Sequence, residues 1–129
     1  MSEIRNENFP LREETDIILG ICIEVHKQLG FGFLEIVYKD AIEYELGQRK
    51  HFYEREKEYE VHYKDVILRH KFYADFIIFG NVILEVKAKD GIADDDMART
   101  INYLKCPGCK VGLIVNFGRA RLDIKRVVF

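Results

Sequence analysis

The chain of 129 residues has few cysteines and no long apolar segment. No apolar run approaches the roughly 18–20 residues that a membrane-spanning helix needs. The first eight residues lack the apolar core of a signal peptide. Its three cysteines are an odd number, which disfavours a disulfide framework and fits a reducing compartment. These absences predict a cytoplasmic protein with no membrane partner.

The sequence also lacks a strong charge of either sign, an internal repeat, a linker and a low-complexity segment. Its net charge of -2 gives no overall attraction to nucleic acid. From Arg99 onward, however, basic residues outnumber the single acid, Asp123. That end is either a phosphate-binding surface or a solvated helix followed by a basic edge strand. The length predicts one domain over residues 1–129, with residues 1–11 as an N-terminal arm.

Apolar spacing and turn residues predict the element order α-α-β-β-β-α-β-β. This order is typical of an α+β protein in which helices flank a mixed sheet. The predicted helices cover residues 12–29, 33–50 and 94–105, and the predicted strands cover residues 59–63, 66–79, 82–88, 111–116 and 122–129.

The segment 75–87 places charged residues inside two apolar, strand-like runs. Asp75 lies beside Phe-Ile-Ile-Phe, and Glu85 and Lys87 alternate with aliphatic residues. Burying an ionised group is costly unless it is paired, hydrogen-bonded or bound to a metal. The pattern therefore indicates either a functional site or a partly exposed ion pair at the end of a sheet.

The turn at Gly80-Asn81 decides between these alternatives. A two-residue loop pairs Asp75 with Val86 and leaves Asp75 and Glu85 on opposite faces, whereas a three-residue loop pairs Asp75 with Glu85. A shared site therefore requires an odd loop or a bulge. Two carboxylates beside Lys87 would suit Mg²⁺ or Mn²⁺, and this chemistry favours phosphodiester hydrolysis.

Two motifs resemble a known family. Asp75 followed by Glu85-Val86-Lys87 resembles the PD-(D/E)XK nuclease signature, with Ala74 where proline is usual. The stretch 29–38 contains Gly32-x-x-Glu35-x-x-Tyr38 and resembles the GxxExxY family, which is assigned to that superfamily. The segments 24–26, 102–105 and 113–118 also match that family, so the resemblance covers roughly residues 12–128.

The resemblance implies a restriction-endonuclease-like αβββαβ core and a magnesium- or manganese-dependent nuclease acting on DNA or RNA. The implied catalytic residues are Glu35, Asp75, Glu85 and Lys87, and the implied metal ligands are Glu35, Asp75, Glu85 and the carbonyl of Val86. Arg99 stands where the family often has glutamine. Arg99, Tyr103 and His26 are the predicted substrate contacts, although His26 also fits a structural role.

Two alternatives remain open at this point. One is a non-catalytic module on the nuclease scaffold that binds nucleic acid or a protein. The other is a redox protein using Cys106-Pro-Gly-Cys109, which predicts a lowered thiol pKa at Cys106 or Cys109. The same residues also fit a simple turn carrying two thiols. Because no separate nucleic-acid-binding domain is present, specificity would require a homodimer or a protein partner.

Overall fold

The computed structural model describes residues 10–105 and 108–128, so residues 1–9 of the predicted arm, Cys106, Pro107 and Phe129 lie outside the described residues. The helices are α1 (Arg12–Leu29), α2 (Glu35–Gln48) and α3 (Asp94–Lys105). The strands are β1 (Tyr53–Tyr59), β2 (His62–Tyr63), β3 (Val66–Ile67), β4 (Phe72–Ile78), β5 (Val82–Lys87), β6 (Val111–Asn116) and β7 (Asp123–Val128).

A five-stranded mixed sheet forms the centre, in the order β1-β4-β5-β6-β7. Only β5 and β6 run parallel, because α3 carries the chain back across the sheet between them. The strands β2 and β3 form a separate small hairpin. This architecture confirms the predicted α+β fold with a restriction-endonuclease-like mixed sheet between helices.

The sheet buries both faces against helices. On one face, α1 and α2 pack through residues such as Ile21 and Ile42 against the even-numbered side chains of β5. On the other face, Leu104 of α3 packs with Ile83 and Ile114. Strand β5 is therefore central and covered on both sides, which explains its nearly continuous apolar sequence. Among the described residues, no helix has the length and apolarity needed to cross a bilayer.

The predicted strands differ from the structure between residues 53 and 79. The first strand of the sheet is Tyr53–Tyr59 rather than residues 59–63, and the predicted long strand 66–79 is divided into β3 and β4. The prediction missed β1 because charged residues fill the five positions between its two tyrosines. As an edge strand it pairs only with β4, so it needs no run of apolar residues.

The β4–β5 hairpin has the odd loop that a shared site requires. Ile78 pairs with Val82, so three residues, Phe79, Gly80 and Asn81, form the loop. Phe79 and Gly80 both have left-handed φ angles, of 57° and 75°. Such angles are typical of short hairpin loops, and glycine supplies them at little cost. The loop brings the acids of the two strands to equivalent positions, as predicted for a converging site.

Candidate functional site

The candidate site lies where β4 and β5 diverge. Their pairing ends at Phe76 and Leu84. Beyond that point the first half of β4 pairs only with β1, and the residues from Glu85 onward pair only with β6. Asp75 and Glu85 are therefore the first residues past the last pair. One Asp75 oxygen, Oδ2, accepts the Val86 N–H at 2.8 Å and replaces the lost ladder bond.

The divergence coincides with a change in side-chain direction along β4. Phe72 and Ala74 belong to the core beneath α3, whereas Phe76 and Ile78 belong to the core beneath α1 and α2. A regular strand would keep all four side chains on one face. The alternation is thus broken at Asp75, which places this carboxylate in the opening between the strands.

Glu85 is the most buried acid of the site. Its side chain lies next to Asp75, and its Oε1 atom is buried without a hydrogen-bond partner among the described residues. Burial raises the pKa of Glu85 well above its usual range, and the charge of Asp75 and a hydrogen bond to Asp75 raise it further. Lys87 opposes this shift only partly. A buried Glu85 carboxyl group beside a second carboxyl group favours a bound proton or a bound cation.

Lys39 of α2 supplies a positive charge that the sequence did not predict. Its side chain is only 9% exposed, and its Nζ atom lies 2.9 Å from Asp75 Oδ1 and 2.6 Å from Glu56 Oε1. Burial lowers the pKa of Lys39, but hydrogen bonds to Glu56 and Asp75 outweigh it and leave the pKa above its usual value. Lys39 and Glu56 are therefore site residues that sequence reasoning missed.

Glu35 joins the site from the first turn of α2. Burial raises its pKa, and repulsion from Asp75 raises it further, while Lys87 and Lys39 oppose the shift. Glu35 therefore lies within electrostatic reach of Asp75 on β4 and Lys87 on β5. Of the predicted residues, Glu35 is thus coupled electrostatically to Asp75 and Lys87, and Glu85 is coupled to the same two residues.

The other members of the Gly32-x-x-Glu35-x-x-Tyr38 motif shape the loop before α2. Gly32 has a φ of 110°, a conformation that favours glycine. The Tyr38 hydroxyl donates to the Gly30 carbonyl at 2.7 Å and accepts the Phe33 N–H at 3.3 Å. Tyr38 therefore ties both ends of the loop to the helix that carries Glu35. Its side chain is fully buried, and its role is structural.

The segment that follows Lys87 is held by the end of β6. Asn116 is fully buried; its Oδ1 accepts the Lys89 N–H at 2.9 Å, and its Nδ2 donates to the Lys89 carbonyl at 2.8 Å. Phe117 N–H donates to the Lys87 carbonyl at 2.8 Å. A Cβ on Gly118 would lie 2.2 Å from the Lys89 carbonyl oxygen, so only glycine fits there.

The three predicted substrate contacts lie in different surroundings. Tyr103 of α3 stacks on Phe72 at 4.1 Å, and its pKa is raised first by burial and then by the charge of Glu85. Arg99 is exposed on the same helix and lowers the pKa of Tyr103. His26 Nε2 instead lies 2.9 Å from the Arg119 carbonyl oxygen. Tyr103 thus lies within electrostatic reach of Glu85 and Asp75, and Arg99 lies near Tyr103, whereas His26 makes a structural contact.

The donor set fits a hard divalent cation. Two adjacent carboxyl groups, Asp75 and Glu85, offer oxygen ligands, and the buried Glu85 Oε1 has no partner among the described residues. Within residues 10–105 and 108–128, however, no group of three or more His, Cys, Asp or Glu side chains is already gathered closely enough to hold a metal ion. The ammonium of Lys39 occupies one side of Asp75 instead.

The two cysteines within the described residues, Cys22 and Cys109, show no sign of redox activation. Burial raises the pKa of Cys109, and it raises that of Cys22 to about 12. A redox pair requires a lowered thiol pKa. Cys106 lies outside the described residues, so the redox hypothesis loses its support at Cys109.

Residues 12–127 match the family model of the PD-(D/E)XK nuclease superfamily, and the chain belongs to this superfamily. A solved structure titled "Crystal structure of SSO0001" is similar in fold, with a TM-score of 0.55 and 21% identity. The similarity covers 71% of this chain and 48% of that one, so the chain spans about half of its length. No curated protein matched the sequence.

Proposed function

We propose that the protein is a metal-dependent nuclease of the GxxExxY group that hydrolyses phosphodiester bonds of DNA or RNA. The observation that carries the proposal is the convergence of Asp75 and Glu85 where β4 and β5 diverge. Within the part of the chain that the structure describes, a buried oxygen of Glu85 there has no hydrogen-bond partner. Membership of the nuclease superfamily supports the reaction class. The electrostatic coupling of Glu35 to Asp75 supports its place as the third acid.

The proposed cofactor is Mg²⁺ or Mn²⁺, held by Glu35, Asp75, Glu85 and the carbonyl of Val86. When bound, such an ion would polarise a phosphate oxygen and acidify a water molecule. Asp75 can serve this purpose because its Oδ2 is already fixed by the Val86 N–H. The hydrogen bond therefore sets the orientation of the carboxylate before any substrate arrives.

Lys87 is the proposed catalytic lysine. It shares the face of Glu85, is half-buried, and among the described residues its ammonium forms no hydrogen bond or ion pair. An uncommitted ammonium beside the carboxylates can orient the attacking water or stabilise negative charge on the phosphate. Arg99 and Tyr103 are the proposed substrate contacts, and His26 would contribute indirectly by holding the backbone of Arg119.

Cleavage of end-labelled oligonucleotides tests the proposal. Single- and double-stranded DNA and RNA are incubated with the protein and Mn²⁺ or Mg²⁺, with a chelator as the blank. We expect Lys87→Ala and Glu85→Gln to lower cleavage by roughly 10²-fold or more, while Lys27→Ala, at an exposed position on α1, keeps full activity. Undiminished cleavage by Lys87→Ala would refute the assigned chemistry.

One observation favours a second function, a non-catalytic module that binds nucleic acid or a protein. Lys39 already neutralises Asp75, and the described residues hold no preformed three-ligand metal site. Titration with Mn²⁺ separates the two functions, with Glu85→Ala as the comparison. A nuclease site binds Mn²⁺ in the wild type and loses it in the variant, whereas the non-catalytic module binds in neither.

A further inference from the structure

The Lys39 ammonium contacts Asp75 in the way that a bound cation would. One Asp75 oxygen, Oδ2, is taken by the Val86 N–H, and the other, Oδ1, lies 2.9 Å from the Lys39 ammonium. Both oxygens of Asp75 are therefore engaged. Since the Lys39 side chain is 9% exposed, water cannot readily compete for this contact. The ammonium thus occupies a position beside Asp75 that a divalent ion would also need.

Glu56 gives the same ammonium a second partner on the outer side of the site. The Glu56 side chain is 47% exposed, so it lies between Lys39 and solvent. Its φ angle of 53° is left-handed, which is unfavourable for glutamate. It stands opposite Asp75, between the pairs Arg55–Phe76 and Lys57–Ala74 of the β1–β4 ladder. A strained residue at this point indicates a local arrangement that the surrounding structure enforces.

We propose that Lys39 is a built-in competitor of the divalent cation: its ammonium neutralises Asp75 in the metal-free protein and moves fully to Glu56 when the metal binds. The inference rests on the proposed metal-dependent function and adds a positioning residue to it. Lys39 acts through Asp75 and does not touch the reacting atoms.

Charge repulsion supplies the reason for the exchange. An ammonium and a divalent ion on the same carboxylate would lie a few ångströms apart, where repulsion in a partly buried site is strong. Leaving Asp75 without any cation is also costly, because Glu85 lies beside it. Lys39 therefore offsets the charge of Asp75 when no metal is bound, and Glu56 offers its ammonium a partner once a metal binds.

Metal affinity in paired variants tests the exchange. Titration calorimetry with Mn²⁺ compares the wild type with Lys39→Gln, Glu56→Gln and the exposed control Lys27→Gln. We expect Lys39→Gln to bind Mn²⁺ at least ~10-fold more tightly, because a nearby positive charge is gone. Glu56→Gln should bind more weakly than the wild type, since Lys39 loses its alternative partner, and Lys27→Gln should be unchanged.

A second measurement follows Lys39 directly and needs no variant. The wild type is treated briefly with an amine-acylating reagent, with and without saturating Mn²⁺, and acylation of each lysine is read by mass spectrometry. We expect Lys39 to be protected without metal and to react several-fold faster with it, while exposed Lys27 reacts equally in both. This readout separates movement of Lys39 from a purely electrostatic effect on affinity.

The outcomes distinguish the competitor role from the proposed function. If Mn²⁺ binds the wild type but Lys39→Gln binds no more tightly, or if Lys39 stays protected in the metal-saturated protein, the competitor role is wrong and the nuclease proposal stands. If neither protein binds Mn²⁺, both are wrong. Should Lys39→Gln fail to fold by circular dichroism, Lys39→Met and the acylation measurement decide.

Discussion

Asn116 provides the sharpest structural prediction, because one buried amide holds the segment that follows Lys87. The change is Asn116→Ala. It removes the acceptor for the Lys89 N–H, the donor to the Lys89 carbonyl and the acceptor for the Gly118 N–H, which lie at 2.9, 2.8 and 3.1 Å. Of these three backbone groups, the Lys89 carbonyl also accepts the Gly91 N–H at 2.9 Å.

The expected cost follows from the number of backbone groups that lose a partner. Each buried hydrogen bond contributes roughly 1 kcal/mol net, and an unsatisfied buried group costs about 1–3 kcal/mol. Two N–H groups lose their acceptor and the Lys89 carbonyl loses one of its two donors, which gives a loss of about 3 kcal/mol in the free energy of unfolding. Asn116→Asp should lose part of this amount, because it keeps the acceptor but brings a second carboxylate near Asp123.

Urea denaturation, monitored by circular dichroism, measures the loss. The dependence of the unfolding free energy on urea concentration must be the same in wild type and variant for the comparison to hold. The matched control is Gln28→Ala, which removes an exposed amide bonded once to Glu24 and should change stability by less than about 0.5 kcal/mol. A loss below about 1 kcal/mol for Asn116→Ala would refute the argument that this amide holds the strand end.

Three further predictions concern the residues around the site. Gly118→Ala should destabilise the protein by several kcal/mol in the same urea assay, because its Cβ would lie 2.2 Å from the Lys89 carbonyl oxygen. Tyr38→Phe should cost about 1–2 kcal/mol of stability and speed hydrogen exchange in the loop that contains Gly30, because the hydroxyl bonds are lost. For Asp96, burial alone would raise the pKa, but the Lys89 ammonium and the Ala93 N–H lower it below its usual value. This carboxylate therefore stabilises the fold above the unfolded pKa of about 3.9, and the stability difference from Asp96→Asn should shrink as pH falls below about 4.

The sequence predicted the parts of the fold that depend on local periodicity. The helix of residues 12–29 and the strand of residues 111–116 have the predicted bounds. The helix has the apolar spacing of one buried face, and the strand has the apolar run of a fully buried strand. For the hairpin at Gly80-Asn81, the sequence left two possible strand registers. The register depends on whether Phe79 adopts a left-handed φ and becomes a third loop residue.

The missed residues are those whose roles depend on packing between distant elements. Lys39 follows the buried Tyr38 on α2, where helical spacing gives no reason to expect a buried charge. Glu56 lies in a strand of alternating charges that carries no apolar signal. They meet only because α2 lies beside the paired strands β1 and β4, at the point where β4 diverges from β5. Periodicity cannot specify such a long-range arrangement.

The geometry at Asp75 also determines how substitutions in the site must be interpreted. Asp75 accepts the Val86 N–H where the strands part and pairs with the buried Lys39 ammonium. Asp75→Ala therefore leaves a backbone donor and a buried charge without this partner, so any loss of activity would combine unfolding with chemistry. Among the described residues, the Lys87 ammonium forms no such hydrogen bond or ion pair. A loss of cleavage in Lys87→Ala at unchanged stability is consequently the observation that isolates the chemical step.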